Sequence, residues 1–150
     1  MNSTPENEAL PNEEELRQLL WAHADTTAER ILERLGGPLD GRNLATLLND
    51  GACLRYPTTV KFTEEALEEG LFAQPVFQGD GAAMLCVLHV HPRYQFHPTA
   101  LPHLVAYMAA VINYADAADS DLCEHFGAML VGQSRDDFYH EICKLADWHP

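Results

Sequence analysis

The segment from Ala100 to Ala115 carries no Asp, Glu, Lys or Arg. Leu101, Leu104, Val105, Met108, Val111 and Ile112, together with several alanines, fall on every side of a helical wheel. A helix that is apolar all round belongs at the centre of a fold, covered by other elements. Thr99 stands where a capping residue is wanted, and Pro102 is tolerated in a first turn. The rest of the chain must supply the covering layers, and its 150 residues fit a single domain.

Those layers can be read along the chain. Asn12 followed by Glu15 is a capping pair that starts a helix, and Gly36-Gly37-Pro38 stops it near Leu35. Leu16, Leu19, Leu20, His23, Thr27 and Ile31 share one side of that helix, which is predicted to face the core. Glu15, Gln18, Asp25, Glu29 and Glu33 take the other side. A short second helix is expected over Asn43–Asn49, with Leu44, Leu47 and Leu48 inward. Ala52–Phe62, interrupted by Pro57, reads as two short extended pieces. Thr63 is predicted to cap a helical turn over Glu64–Glu69, which Gly70 ends.

Leu71–Phe77 and Ala83–His91 flank Gly79-Asp80-Gly81, the pattern of a β-hairpin. Pro75 places the first strand at a sheet edge. The second strand is apolar on both faces: Met84, Cys86, Leu88 and Val90 on one, Leu85 and Val87 before His89 and His91 on the other. Such a strand is expected to be internal and covered on both sides. After the central helix, Ser120 or Asp121 opens another that Gly132 ends, and Ser134 with Asp137 opens the last. Strands followed by helices imply an α+β fold: a small antiparallel sheet built around a β-hairpin, packed by an N-terminal amphipathic helix and three C-terminal helices. Residues 1–11 read as a flexible polar tail and 12–150 as one globular domain. One domain has few elements with which to enclose both an internal strand and an apolar helix, so a homodimer is expected to cover part of them.

Charge narrows the partners. Nine Lys and Arg face 23 Asp and Glu, a net charge of −14. The acidic residues number eight in 1–36, seven in 37–80 and eight in 81–150, against three basic residues in each segment. A surface acidic throughout repels phosphate backbones and anionic lipid, which argues against nucleic-acid and membrane partners. It serves solubility, or it steers a basic protein partner. No apolar run reaches the roughly 18 residues that span a bilayer. The start MNSTPENEALPNEEE has neither the basic nor the apolar region of a secretory signal, so a cytoplasmic location with reduced thiols is expected. Cys53, Cys86, Cys123 and Cys143 form no C-x-x-C pair and read as small core residues.

The strongest local pattern with chemical meaning is His89-Val90-His91. Residues two apart on a strand share a face, so both imidazoles could converge on one zinc or iron ion. His97 and His103 are the nearest further ligands by sequence, and a carboxylate such as Asp80 or Asp116 is an alternative. The same pair also reads as polar residues where a strand leaves the core. His103, Tyr107 and Tyr114 form a polar stripe on the apolar helix, which reads as a small-molecule pocket or as a packing seam. His23 reads as a core histidine holding one hydrogen bond, and His140 as a surface residue. Dinucleotide and P-loop glycine motifs, the G-x-S-x-G elbow, H-E-x-x-H and EF-hand loops are all absent from the sequence.

Three functional readings follow. The first is an acidic accessory or binding protein without a catalytic motif. The second is a metal-binding protein or metal-dependent enzyme using His89 and His91. The third is a small-molecule binding domain using His103, Tyr107 and Tyr114.

Overall fold

A computed structural model describes residues 10–97 and 99–148. Most of the expected polar tail therefore lies outside the described residues; Leu10 and Pro11 are exposed. Helix α1 spans Glu13–Leu35 and α2 spans Leu44–Asn49. Three strands follow: β1 at Thr58–Phe62, β2 at Ala73–Gln78 and β3 at Leu85–Val90. Helices α3 (Ala100–Tyr114), α4 (Ser120–Val131) and α5 (Arg135–Ala146) complete an α+β fold.

Local chemistry sets most helix ends. The Asn12 side chain accepts the Glu15 N–H at 2.8 Å, and the Glu15 carboxylate accepts the Asn12 N–H at 3.2 Å. Gly36 closes α1 at φ 76°, a left-handed geometry that costs glycine nothing. Asp119 caps α4 by accepting the Leu122 N–H, and Ser134 caps α5 by accepting the Asp137 N–H. Thr99 does not cap α3. Its ψ of 3° departs from the extended geometry of a cap, and its N–H donates to His97 Nδ1 instead.

The sheet order is β1-β3-β2, with β3 in the middle and the Pro75 strand at an edge. β2 runs antiparallel to β3, as the hairpin requires, but β1 runs parallel to it. The sheet is thus mixed, not antiparallel. The chain leaves β1, passes through residues 63–72 to β2, and returns as β3 into the space between them. The first half of Ala52–Phe62 is not extended. Asp50 accepts the Ala52 N–H on its carboxylate and the Cys53 N–H on its carbonyl, which coils residues 51–56 into turns. The expected helical turn after Thr63 is likewise a succession of turns, in which the Thr63 hydroxyl accepts the Glu65 N–H.

One sheet face packs inward. Cys86, Leu88 and Val90 of β3, with Ala73 of β2, are buried on it, and β2 meets α3 there. The opposite face carries Thr59, Lys61, Gln74 and Gln78 around Leu85, Val87 and His89. Leu85 is 49% exposed but His89 on the same face is buried, so β3 is internal to the sheet and its second face is covered only toward the end of the strand.

Helix α3 is the centre, with Leu104, Val105, Ala106, Ala109, Ala110 and Ile112 out of contact with water. Its closest neighbour is α4, which α1 and α5 cover from other directions. At Gly127 of α4 an added Cβ would lie 2.5 Å from Phe138 Cζ and 3.2 Å from the Ala106 carbonyl oxygen. Three helices therefore approach at a point where only hydrogen fits.

The inward face of α1 differs from expectation. Ala24, Thr27, Ala28 and Ile31 are buried, whereas Leu16 is 53% and Leu19 62% exposed, and His23 faces solvent too. The start of α1 meets α4 through Arg17, paired with Asp119, and Trp21, stacked on His125, rather than through Leu16 and Leu19.

Candidate functional site

The turns at residues 51–55 are pinned from two sides. From α1, Arg34 Nε donates to Asp50 at 2.7 Å and Arg30 Nε donates to the Ala52 carbonyl at 3.2 Å. From α3, the Asn113 side chain accepts the Arg55 N–H at 2.7 Å and donates to the Cys53 carbonyl at 3.2 Å. Between these walls lies a cleft of about 220 Å³, lined by side chains including His23, Thr27, Arg30, Arg55, Asn113 and Tyr114.

Three of these form a closed hydrogen-bonded set. The Tyr114 hydroxyl donates to Thr27 Oγ1 at 3.2 Å, and its oxygen lies 2.8 Å from His23 Nδ1. Thr27 Oγ1 is 3.4 Å from the same His23 nitrogen. With its Nδ1 protonated, His23 donates to the tyrosine oxygen. His23 Nε2 has no partner among the described residues.

The electrostatics of the cleft are opposite to those of the chain. Arg17, Arg34, Arg42, Arg135 and Lys144 each pair with a carboxylate. Arg30 and Arg55 pair with none among the described residues, and both line the cleft. No acidic side chain among the described residues lines it. Burial raises the Tyr114 pKa, which the Thr27 hydrogen bond and the Arg30 charge pull back down. Burial also raises the Cys53 thiol, aided by Asp50 and opposed by Arg34 and Arg30. The thiol at the cleft therefore stays protonated and inert at neutral pH.

The four candidate metal ligands have separate surroundings. β3 ends at Val90, so the shared face of His89 and His91 ends before His91. His91 Nδ1 accepts the Arg93 N–H, and Nε2 lies 3.1 Å from Glu64, which uses both ring nitrogens. His89 is 8% exposed, and its Nδ1 has no partner among the described residues. His97 packs edge-on to Trp148, and His103 stacks on Phe138 with Nε2 3.3 Å from Gln133. Among the described residues, no three His, Cys, Asp or Glu side chains are grouped to hold a metal ion.

The polar stripe of α3 is also divided. His103 faces α5, while Tyr107 sits against Phe72 beside a mostly apolar cleft at the β2 edge. Burial pushes the Tyr107 phenol up to about 12. Only Tyr114 reaches the arginine-lined cleft. Thr27, Arg30, Arg55 and Asn113 carry no motif that marks them as site residues. The available signal was faint: residues 51–63 contain Arg55 and Lys61 and no acidic residue.

Compared with known proteins, the chain matches no family model, no curated protein and no solved structure.

Proposed function

We propose that the protein is a binding module rather than an enzyme, and that the cleft between α1, residues 51–55 and the end of α3 is its ligand site. One observation carries this reading. Polar side chains from three distant segments converge on a concave site, and the hydrogen bonds that fix them are made among protein groups. Preorganised polar groups of this kind lower the ordering cost of recognition. The cleft of about 220 Å³ is smaller than the roughly 300–1,000 Å³ of drug-sized sites, which favours a small molecule. Catalysis is disfavoured because burial moves both Cys53 and Tyr114 away from their reactive, deprotonated forms. Of the stripe His103, Tyr107 and Tyr114, the reading keeps Tyr114 alone. A reducing, cytoplasmic setting fits the four unpaired cysteines.

The test is ligand-observed NMR against a library of small polar metabolites, with Gly51→Phe as the blocked control. Gly51 lines the cleft, has open space around its missing Cβ and is not held in a left-handed conformation. A ligand that binds the native protein and not this variant supports the reading. The absence of any such ligand, or equal binding to both proteins, removes it.

A second reading, self-association, is favoured by the exposed Leu16 and Leu19 near the start of α1. Analytical ultracentrifugation should show a dimer that Leu16→Glu/Leu19→Glu dissociates; a monomer at micromolar concentration removes this reading.

A further inference from the structure

The geometry points to a small oxyanion, a carboxylate or phosphate group, as the ligand recognised in the cleft, bound between the guanidinium groups of Arg30 and Arg55. This inference rests on the binding reading above and names the chemistry of its ligand. In a chain with 23 acidic and nine basic residues, a cation is ordinarily close to a carboxylate. Five cations are so paired. Arg30, Arg55, Lys61 and Arg93 have no such partner among the described residues, and of these Arg30 and Arg55 line this cleft, with no acidic side chain of the described residues beside them.

The donors are free and suited to such a group. Arg30 spends Nε on the Ala52 carbonyl, which leaves its two Nη groups without a partner among the described residues. Arg55 lies over the Tyr56 ring at 5.2 Å, and its guanidinium makes no hydrogen bond among the described residues. Guanidinium groups bind carboxylate and phosphate through paired N–H donors, with strength a neutral ligand cannot match. His23 lines the same wall and adds a donor at Nε2 when protonated. Hydrogen bonds from Arg30 and Asn113 to the carbonyls of Ala52 and Cys53 hold the opposite wall, and the Asp50 carboxylate beneath it is engaged by Arg34 and the Ala52 N–H. The negative surface elsewhere repels anions, so the cleft is where one would be retained.

The experiment is isothermal titration calorimetry at low ionic strength with inorganic phosphate, succinate and neutral succinamide. The proteins are the native chain, Arg30→Gln, Arg55→Gln and, as a distant control, Arg42→Gln. Saturable binding of phosphate or succinate is expected, with at least about tenfold weaker binding in Arg30→Gln and Arg55→Gln. Arg42→Gln should bind as the native chain does, because Arg42 is paired with Asp40 away from the cleft. The two anions distinguish a phosphate from a carboxylate source. Should either glutamine variant fail to fold by circular dichroism, Arg30→Lys and Arg55→Lys keep the charge without the fork and are expected to weaken binding less. Equal loss in Arg42→Gln, or no saturable binding of either anion, overturns the oxyanion assignment. Binding of succinamide alone, blocked by Gly51→Phe, overturns the assignment while leaving the small-ligand reading intact. Failure of the metabolite library with Gly51→Phe as control is what removes the binding reading itself.

Discussion

His23 Nδ1 and the Tyr114 hydroxyl, 91 residues apart in the chain, lie 2.8 Å from each other. Thr27, one helical turn beyond His23, receives the tyrosine proton and is itself buried. Helix α1 and the end of α3 are thus joined by a polar contact beside the cleft. Tyr114→Phe keeps the ring and removes the contact. It should cost about 1 kcal/mol in a urea unfolding curve with an unchanged slope. A variant as stable as the native chain would mean that the contact is not formed.

Gly127 tests the packing of the core. A methyl group there meets the Phe138 ring and the Ala106 carbonyl, so Gly127→Ala forces α3, α4 and α5 apart. The intrinsic helical preference of alanine acts in the other direction, by roughly 1 kcal/mol. Overpacking should prevail, with a net loss of about 1–3 kcal/mol in thermal or chemical unfolding. A gain in stability would contradict the helix spacing.

The four thiols should differ in reactivity. Cys53, Cys86 and Cys123 are buried, and burial raises all three, Cys123 to about 12. Cys143 is the one cysteine that is not buried. At neutral pH, Ellman's reagent should titrate at most one thiol per native chain and all four after unfolding. Rapid reaction of a second native thiol would refute this arrangement.

Acid should loosen the wall of the cleft. The hydrogen bond from Arg34, then the Ala52 N–H, holds the Asp50 carboxyl below the ordinary carboxylate range. A depressed pKa adds stability that is present above the unfolded value of about 3.9 and is lost as pH falls through the folded value. The gap in melting temperature between the native chain and Asp50→Asn should therefore be constant near neutrality and shrink below the ordinary carboxylate range. A gap that widens in acid would reverse the sign and contradict the pairing.

What was legible in the sequence was what nearby residues decide. Asn12 with Glu15, Gly36, Gly132 and Ser134 with Asp137 set helix ends through backbone groups within a turn. The hairpin was visible because Gly79-Asp80-Gly81 lies between its own strands. What failed depended on distant partners. The leucine pattern of α1 is real, but it carries no information on which side α4 docks, and α4 meets Arg17 and Trp21, so Leu16 and Leu19 were assigned to a core that does not reach them. β1 joins β3 in parallel across intervening chain that no local turn specifies. The spacing of His89 and His91 implied a shared face only if the strand continued, and it ends at Val90. The cleft was least visible of all. Arg30, Arg55 and Asn113 come from three segments and acquire meaning only once the fold brings them together.

The most direct measurement is a proton–nitrogen NMR titration of the native chain with succinate and with inorganic phosphate at low ionic strength. The cleft predicts shifts concentrated in the backbone amides of residues 51–55, the Asn113 side-chain amide and the Arg30 Nε–H. Shifts absent from these groups, or centred on the cleft beside Tyr107, would contradict it.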